Sequence, residues 1–240
     1  MSVPAHLLLL LSLWTGQARP GTPVSRQLIV VTTPAWDSVS GTLHRYTRAN
    51  ANAPWRSEGP PVPIVVGQTG LAWGSPALGA RRDPRKREGD GRAPAGRFPL
   101  GRAFGFAPAS ALAALRAPYL PLGEETECVD DVTSSHYNTI VNRGVVRRID
   151  WTSSERMRSI ELYRLGVVVG YNADPVRRGR GSCIFLHIWR SAGSPTSGCT
   201  AMPAEAMESI VRWLDPASHP TLVQLPAAEY ARRRVVWSLP

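Results

Sequence analysis

The chain has 240 residues, room for one domain of ordinary size plus a short leader, and its 43% hydrophobic content excludes wholesale disorder. The 21 Gly and 22 Pro favour short strands joined by turns over long helices, so the expected fold class is mainly β. The formal charge of +10 does not make the chain a nucleic-acid binder: of 28 basic residues only Lys86 is a lysine, the arginines are scattered among acidic neighbours, and no DNA- or RNA-binding motif is present. Attraction to an anionic envelope polymer or lipid surface stays open on charge alone.

Residues 1–18 contain an apolar core at 7–14, too short to span a bilayer, with Gly16 and Ala18 ahead of a cut after Ala18. This reads as a secretory signal, although His6 stands where Lys or Arg is usual; the competing reading is an ordinary buried segment. Residues 19–26 form a polar linker, and 27–240 are expected to form a single domain with no stable membrane insertion once the leader is removed. In an oxidising compartment three cysteines leave one thiol unpaired, and Cys199 is the choice for it. Cys128 and Cys183 are then either bonded or both reduced and buried.

In chain order, residues 27–33 (QLIVVTT) and 41–47 read as a pair of strands, with a turn at 34–40 and a further strand starting at 64–66. Residues 81–91 (RRDPRKREGDG) form a charge-dense loop, read first as a solvated face. One or two helical turns are expected over 108–115, and a short helix or turn over 151–157 with Ser153 or Ser154 as cap. Residues 161–171 (ELYRLGVVVGY) read as a central strand that pairs, as a hairpin, with the strand at 182–187. Met207, Ile210, Val211 and Leu214 mark one face of a helix that starts near Pro203 and stops at Asp215-Pro216. Strands at 221–225 and 234–237 close the domain.

The chemistry concentrates in residues 181–202. A buried strand delivers His187, a loop of small residues follows, and Cys199 comes twelve positions later. A thiolate near the start of the following helix would be stabilised by free N–H groups and the helix dipole, which lowers a thiol pKa. Backbone N–H groups at Gly198, Cys199 and Thr200 could receive an oxyanion, with Ser197 as a further donor or simply a turn residue. A neutral His187 could take the thiol proton and return it to a leaving amine. The competing reading is a buried Cys and a strand-end His that only pack. No CxxC or HxxxH spacing supplies ligands for a metal.

Residues 187–202, with Ser197-Gly198-Cys199-Thr200 after His187 and its loop, resemble the active-site segment of the L,D-transpeptidase (YkuD-type) catalytic domain. The segments 88–96 (EGDGRAPAG), 128–131 (CVDD), 137–138 (YN) and 184–187 (IFLH) are similar to its shorter proteobacterial branch. The resemblance implies packed mixed sheets in a β-sandwich with a few short helices, one directly after the Cys. It also implies an enzyme without cofactor or metal that acts on peptidoglycan stem peptides in the periplasm. Carried over, Cys199 attacks a carbonyl at an L-to-D junction, His187 is the base, and a thioester forms that an amine or water resolves. The other imidazole nitrogen is expected to be oriented by a backbone carbonyl. Arg92, Asp131, Tyr137 and Asn138 are candidates for substrate contact; Lys86 joins Arg92 as a carboxylate binder, and Asp130 and Asp131 either line the cleft or cap a turn. Ser197 stands where many members have a second His, and Thr200 follows the Cys where many have a nearby Arg; both changes bear on the acyl acceptor.

Overall fold

The computed structural model describes residues 24–75 and 77–240; the leader expected at 1–18 and most of the linker at 19–26 lie outside them. The first strands follow directly from their composition. The β-branched run β1 (Gln27–Thr33) buries six of its seven residues and pairs antiparallel with β2 (Ser40–Thr47), from Gln27 opposite Thr47 to Thr32 opposite Thr42. Next come β3 (Arg56–Ser57), β4 (Val62–Val65), β5 (Leu71–Trp73) and the long β6 (Ala93–Gly105). Three short strands, β7 (Tyr119–Pro121), β8 (Thr126–Val129) and β9 (Ile140–Asn142), lead to β10 (Ser154–Arg156). The last four are β11 (Leu165–Val169), β12 (Phe185–Ile188), β13 (Thr200–Met202) and β14 (Thr221–Pro226), with helices α1 (Ala204–Trp213) and α2 (Ala227–Arg233) after β13 and β14.

The main sheet runs β1-β14-β6-β11-β12-β13-β4-β2-β3, and because β2 also pairs with β1 the ladder closes on itself. It is mixed: β1–β14 and β12–β13 are parallel, whereas β6–β11 and β11–β12 are antiparallel. A separate sheet, β10-β8-β9, packs beside it. The fold is mainly β, as composition and resemblance lead one to expect. Closure leaves few edges and an aliphatic interior built from Leu28, Val30, Leu71, Leu186, Met202 and Leu222. Helix α1 completes that interior with Met207, Ile210 and Val211, and packs on β11 and β12.

Several elements differ from the sequence reading. Residues 154–156 are a strand because Ser154 does not cap a helix; its hydroxyl donates to Glu127 Oε2 on the neighbouring β8 at 2.8 Å. Glu161–Tyr163 make one 3-10 turn that swings Tyr163 inward, so the central strand starts only at Leu165. Residues 234–237 are not a strand: α2 carries the chain past β14, held by Glu229 pairing with Arg232 and Arg233 at 2.6 and 3.3 Å, and Val235 and Val236 stay 86% and 82% exposed.

Candidate active site

Period-2 alternation on β12 puts Phe185 and His187 on one face. The parallel partner β13 is preceded by Cys199, with Thr200 opposite Leu186, so the Cys arrives beside this face. Phe185 N–H donates to Cys199 Sγ at 3.3 Å, and Sγ donates to Cys183 O at 3.4 Å. Both Cys199 and His187 are buried at the floor of a cleft of about 600 Å³, walled by Glu88, Asp130, Glu155, Tyr163, Trp189 and the loop 194–198. The Tyr163 ring lies edge-on to His187 and to Phe185, with centroids 5.2 and 5.5 Å away.

The presenting loop is fixed by Thr196. Its N–H donates to Val66 O at 3.0 Å and its carbonyl accepts from Gln68 N–H at 2.8 Å, which ties the loop to the end of β4. Its hydroxyl accepts from Gly198 N–H at 3.1 Å and donates to Cys199 O at 2.6 Å. Gly198 has φ +155°, and a Cβ there would come within 3.1 Å of Arg92 O, so the position suits glycine twice over. The Gly198 N–H is thus engaged by Thr196 in the resting site, whereas the N–H of Cys199 has no hydrogen-bond partner there among the described residues.

Electrostatics set the resting proton inventory. Burial pushes the Cys199 thiol up to about 12, helped by the negative charge of Glu155, and pushes His187 down to about 4. Both groups are neutral at pH 7. The expectation of a thiol lowered by a helix terminus fails because burial outweighs the groups that lower it, and β13 with Pro203 stands between Cys199 and α1. His187 Nδ1 lies 2.7 Å from Ile188 O. A carbonyl only accepts, so Nδ1 carries the proton and Nε2 is left as the basic nitrogen.

The other proposed residues separate into two groups. Cys128 and Cys183 are bonded, which staples β8 to the residues leading into β12. Tyr137 and Asn138 stand behind the cleft wall: Tyr137 Oη donates to Glu88 Oε2 and accepts from Gly181 N–H, while Asn138 Oδ1 accepts from Cys183 N–H at 2.9 Å. They position Glu88 and Cys183. The side chains of Arg92, Asp131 and Thr200 are turned away from the cleft. Arg92 donates to Leu71 O at 2.9 Å. Asp131 accepts from the N–H and hydroxyl groups of Thr152 and Thr133, which hold its carboxyl well below the usual range and make it a turn cap. The Thr200 hydroxyl donates to Gln224 Oε1 at 2.6 Å. Ser197 lines the cleft and is exposed.

Four cleft groups escaped the sequence reading or were undervalued by it. Lys86, in the loop read as solvated, is 4% exposed with Nζ 2.6 Å from Asp90 Oδ1. Glu88 accepts from Ser182 Oγ at 2.7 Å as well as from Tyr137. Glu155 and Tyr163 meet at 2.8 Å beside the thiol. The available signal was the Gly-flanked EGDG run for the first pair; for the second pair there was none, because only tertiary packing brings 155 and 163 to Cys199. No group of three or more His, Cys, Asp or Glu that could hold a metal occurs among the described residues.

The family model described as YkuD, L,D-transpeptidase catalytic domain, matches residues 55–225. Neither a curated protein nor a solved structure matches the chain.

Proposed function

The chain belongs to the YkuD family of L,D-transpeptidase catalytic domains, which acts on peptidoglycan peptides, and from that premise we propose that it is an exported L,D-transpeptidase with Cys199 as nucleophile and His187 as base. The observation that carries this reading is one cleft holding the chain's free thiol and an imidazole whose Nδ1–H is committed to Ile188 O. The Cys128–Cys183 disulfide supports an oxidising compartment, and so a periplasmic site of action. Among the described residues no helix is long and apolar enough to cross a membrane.

The resting pair is neutral, so the thiol proton moves only as substrate closes the cleft. His187 Nε2 takes it, the sulfur adds to the carbonyl carbon at the L-to-D junction, and the oxygen gains the negative charge. Cys199 N–H is placed to donate to that oxyanion. Collapse breaks the C–N bond, His187 returns its proton to the leaving amine, and a thioester remains. An amine of a second stem peptide, deprotonated by His187, then forms the cross-link and regenerates the thiol. Water in its place would make the enzyme a carboxypeptidase or a hydrolase that releases wall-linked peptides. Retention of both His187 and Cys199 argues against a non-catalytic wall-binding module.

The test is to incubate the protein and its Cys199→Ala variant with tetrapeptide-containing wall fragments and follow masses. Cross-linked dimers formed by the native protein alone are expected. Shortened tripeptides would reassign the acceptor to water, and equal product from both proteins would remove Cys199 from the chemistry.

A further inference from the structure

Glu155 lies in the cleft wall and is used by none of the steps above. It differs sharply from Glu127, the neighbour of its β8 partner Cys128. Glu127 is an anchored ion: Ser154, Trp151 and Arg143 all donate to it. Glu155 has one hydrogen-bond partner, Tyr163 Oη at 2.8 Å, and Tyr163 shares the cleft and its buried cluster with Cys199, where the phenol and the thiol influence each other's proton affinity. Glu155, Tyr163 and Cys199 thus form a chain of three groups, with the phenol in the middle.

A phenol has one hydrogen and can donate it in one direction at a time. An ionised Glu155 can only accept, so Tyr163 donates to it and gives the sulfur no donor. A protonated Glu155 can donate to Tyr163 Oη, which frees the phenol hydrogen for the sulfur. In that state a developing thiolate gains a hydrogen bond and loses a nearby negative charge. We propose that Glu155 is a positioning residue for the nucleophile, acting through Tyr163: protonated, it turns the Tyr163 hydroxyl toward Cys199, and ionised, it turns it away. The inference rests on the reading of Cys199 as nucleophile, not on the identity of the substrate.

The surroundings make both states accessible. Burial, then the charges of Asp130 and Glu88, raise Glu155 to about 7. Asp130, just beyond β8, has a buried Oδ1 with no partner, which adds unrelieved negative character. Of the basic groups lining the same cleft, Lys86 is held by Asp90 and His187 is neutral. Proton uptake by Glu155 is therefore the change that can reverse the chain near neutral pH.

Cys199 is the free cysteine, so iodoacetamide labelling followed by mass reads its thiolate directly and needs no peptidoglycan. For the native protein, the logarithm of the labelling rate should rise with pH, flatten for roughly one unit near neutrality as Glu155 ionises, then rise again, the pattern of two coupled groups. Glu155→Gln should remove the plateau and label roughly tenfold faster at pH 8, equivalent to one unit of thiol pKa. In a Tyr163→Phe background the same substitution should change the rate by less than about twofold. An equal gain in both backgrounds would replace the relay with a direct charge effect, and no gain in either would overturn the role of Glu155. If Glu155→Gln does not fold, the native profile alone decides: a single unbroken rise between pH 6 and 8 sinks the proposal. Labelling of this form without wall-fragment turnover would leave the relay standing and remove the peptidoglycan reading instead.

Discussion

The two hydrophobic clusters of the molecule follow different rules. The larger one, inside the closed sheet and under α1, is mostly aliphatic from Leu28 to Leu239. The smaller one contains Phe104, Met157, Tyr163, Phe185 and all three cysteines, and is bordered by Glu127, Glu155 and His187. Burial of apolar area drives folding in the first. In the second, burial serves mainly to shift proton affinities, at the cost of placing ionisable groups where they are poorly solvated. The smaller cluster also carries the covalent staple, Cys128–Cys183, which the larger one does without.

Cutting the staple should break this division most severely. The disulfide closes a loop with a sequence separation of 55, so Cys128→Ser with Cys183→Ser should cost about 2–5 kcal/mol of stability, read from thermal or denaturant unfolding. The loss should be accompanied by faster Cys199 labelling even at temperatures where the protein is folded, because loosening the small cluster relieves the burial that raises the thiol and weakens the bond to Cys183 O that holds its proton. Unchanged labelling would mean that the small cluster holds its geometry without the staple. Truncating the larger cluster sharpens the contrast from the other side. Leu222→Ala, at a fully buried β14 position, should cost about 2–5 kcal/mol while leaving the pH dependence of labelling as it was.

The next effect separates two glutamates of the small sheet. Burial alone would raise Glu127, but the hydrogen bonds from Ser154 and Trp151 and the Arg143 charge hold its carboxyl below the ordinary value. Its stabilisation is present above the unfolded pKa and is lost as pH falls through the folded one. Glu155 has the opposite sign: a raised pKa stabilises below its unfolded value, and that contribution is lost as pH rises through about 7. Glu127→Gln should therefore destabilise at pH 7 by about 1–3 kcal/mol, with the difference shrinking in acid. Glu155→Gln should gain stability relative to the native protein between pH 5 and 8. Unfolding midpoints across that range check both, and parallel curves would refute the distinction.

The larger cluster was readable in the sequence because periodicity encodes it. The β-branched run at 27–33 and the spacing of Met207, Ile210 and Val211 each name a buried face without reference to anything distant. The family signature around residues 187–202 was legible for the same local reason. The cleft walls were not. Asp131 and Asp130 are adjacent in sequence, yet one caps a turn through four hydrogen bonds and the other lines the cleft, a difference set by Thr133 and Thr152. Arg92 looked like a carboxylate binder, but its reach across the chain to Leu71 O converts it to a strut. The strand expected at 234–237 went wrong because Val-Val-Trp carries β propensity, whereas Glu229 pairs with Arg232 and Arg233 and winds the preceding residues into α2.

Thr196 joins the two regions, and its hydroxyl offers the finest test of how they are coupled. Its backbone belongs to the main sheet through Val66 and Gln68, and its side chain belongs to the site through Gly198 N–H and Cys199 O. Thr196→Val keeps the shape and the sheet contacts but leaves one donor and one acceptor unpaired, a loss of about 1–2 kcal/mol spread between stability and placement of the thiol. Because the strand bonds remain, most of that loss should appear as position rather than unfolding. The expected result is a three- to tenfold slower acylation, on the order of 1 kcal/mol in the barrier, with a melting temperature within a few degrees of the native value. Thr196→Ser should restore the rate, since the hydroxyl alone carries the coupling. A Val variant as fast as the native protein would show that the sheet holds Cys199 in place without the hydroxyl.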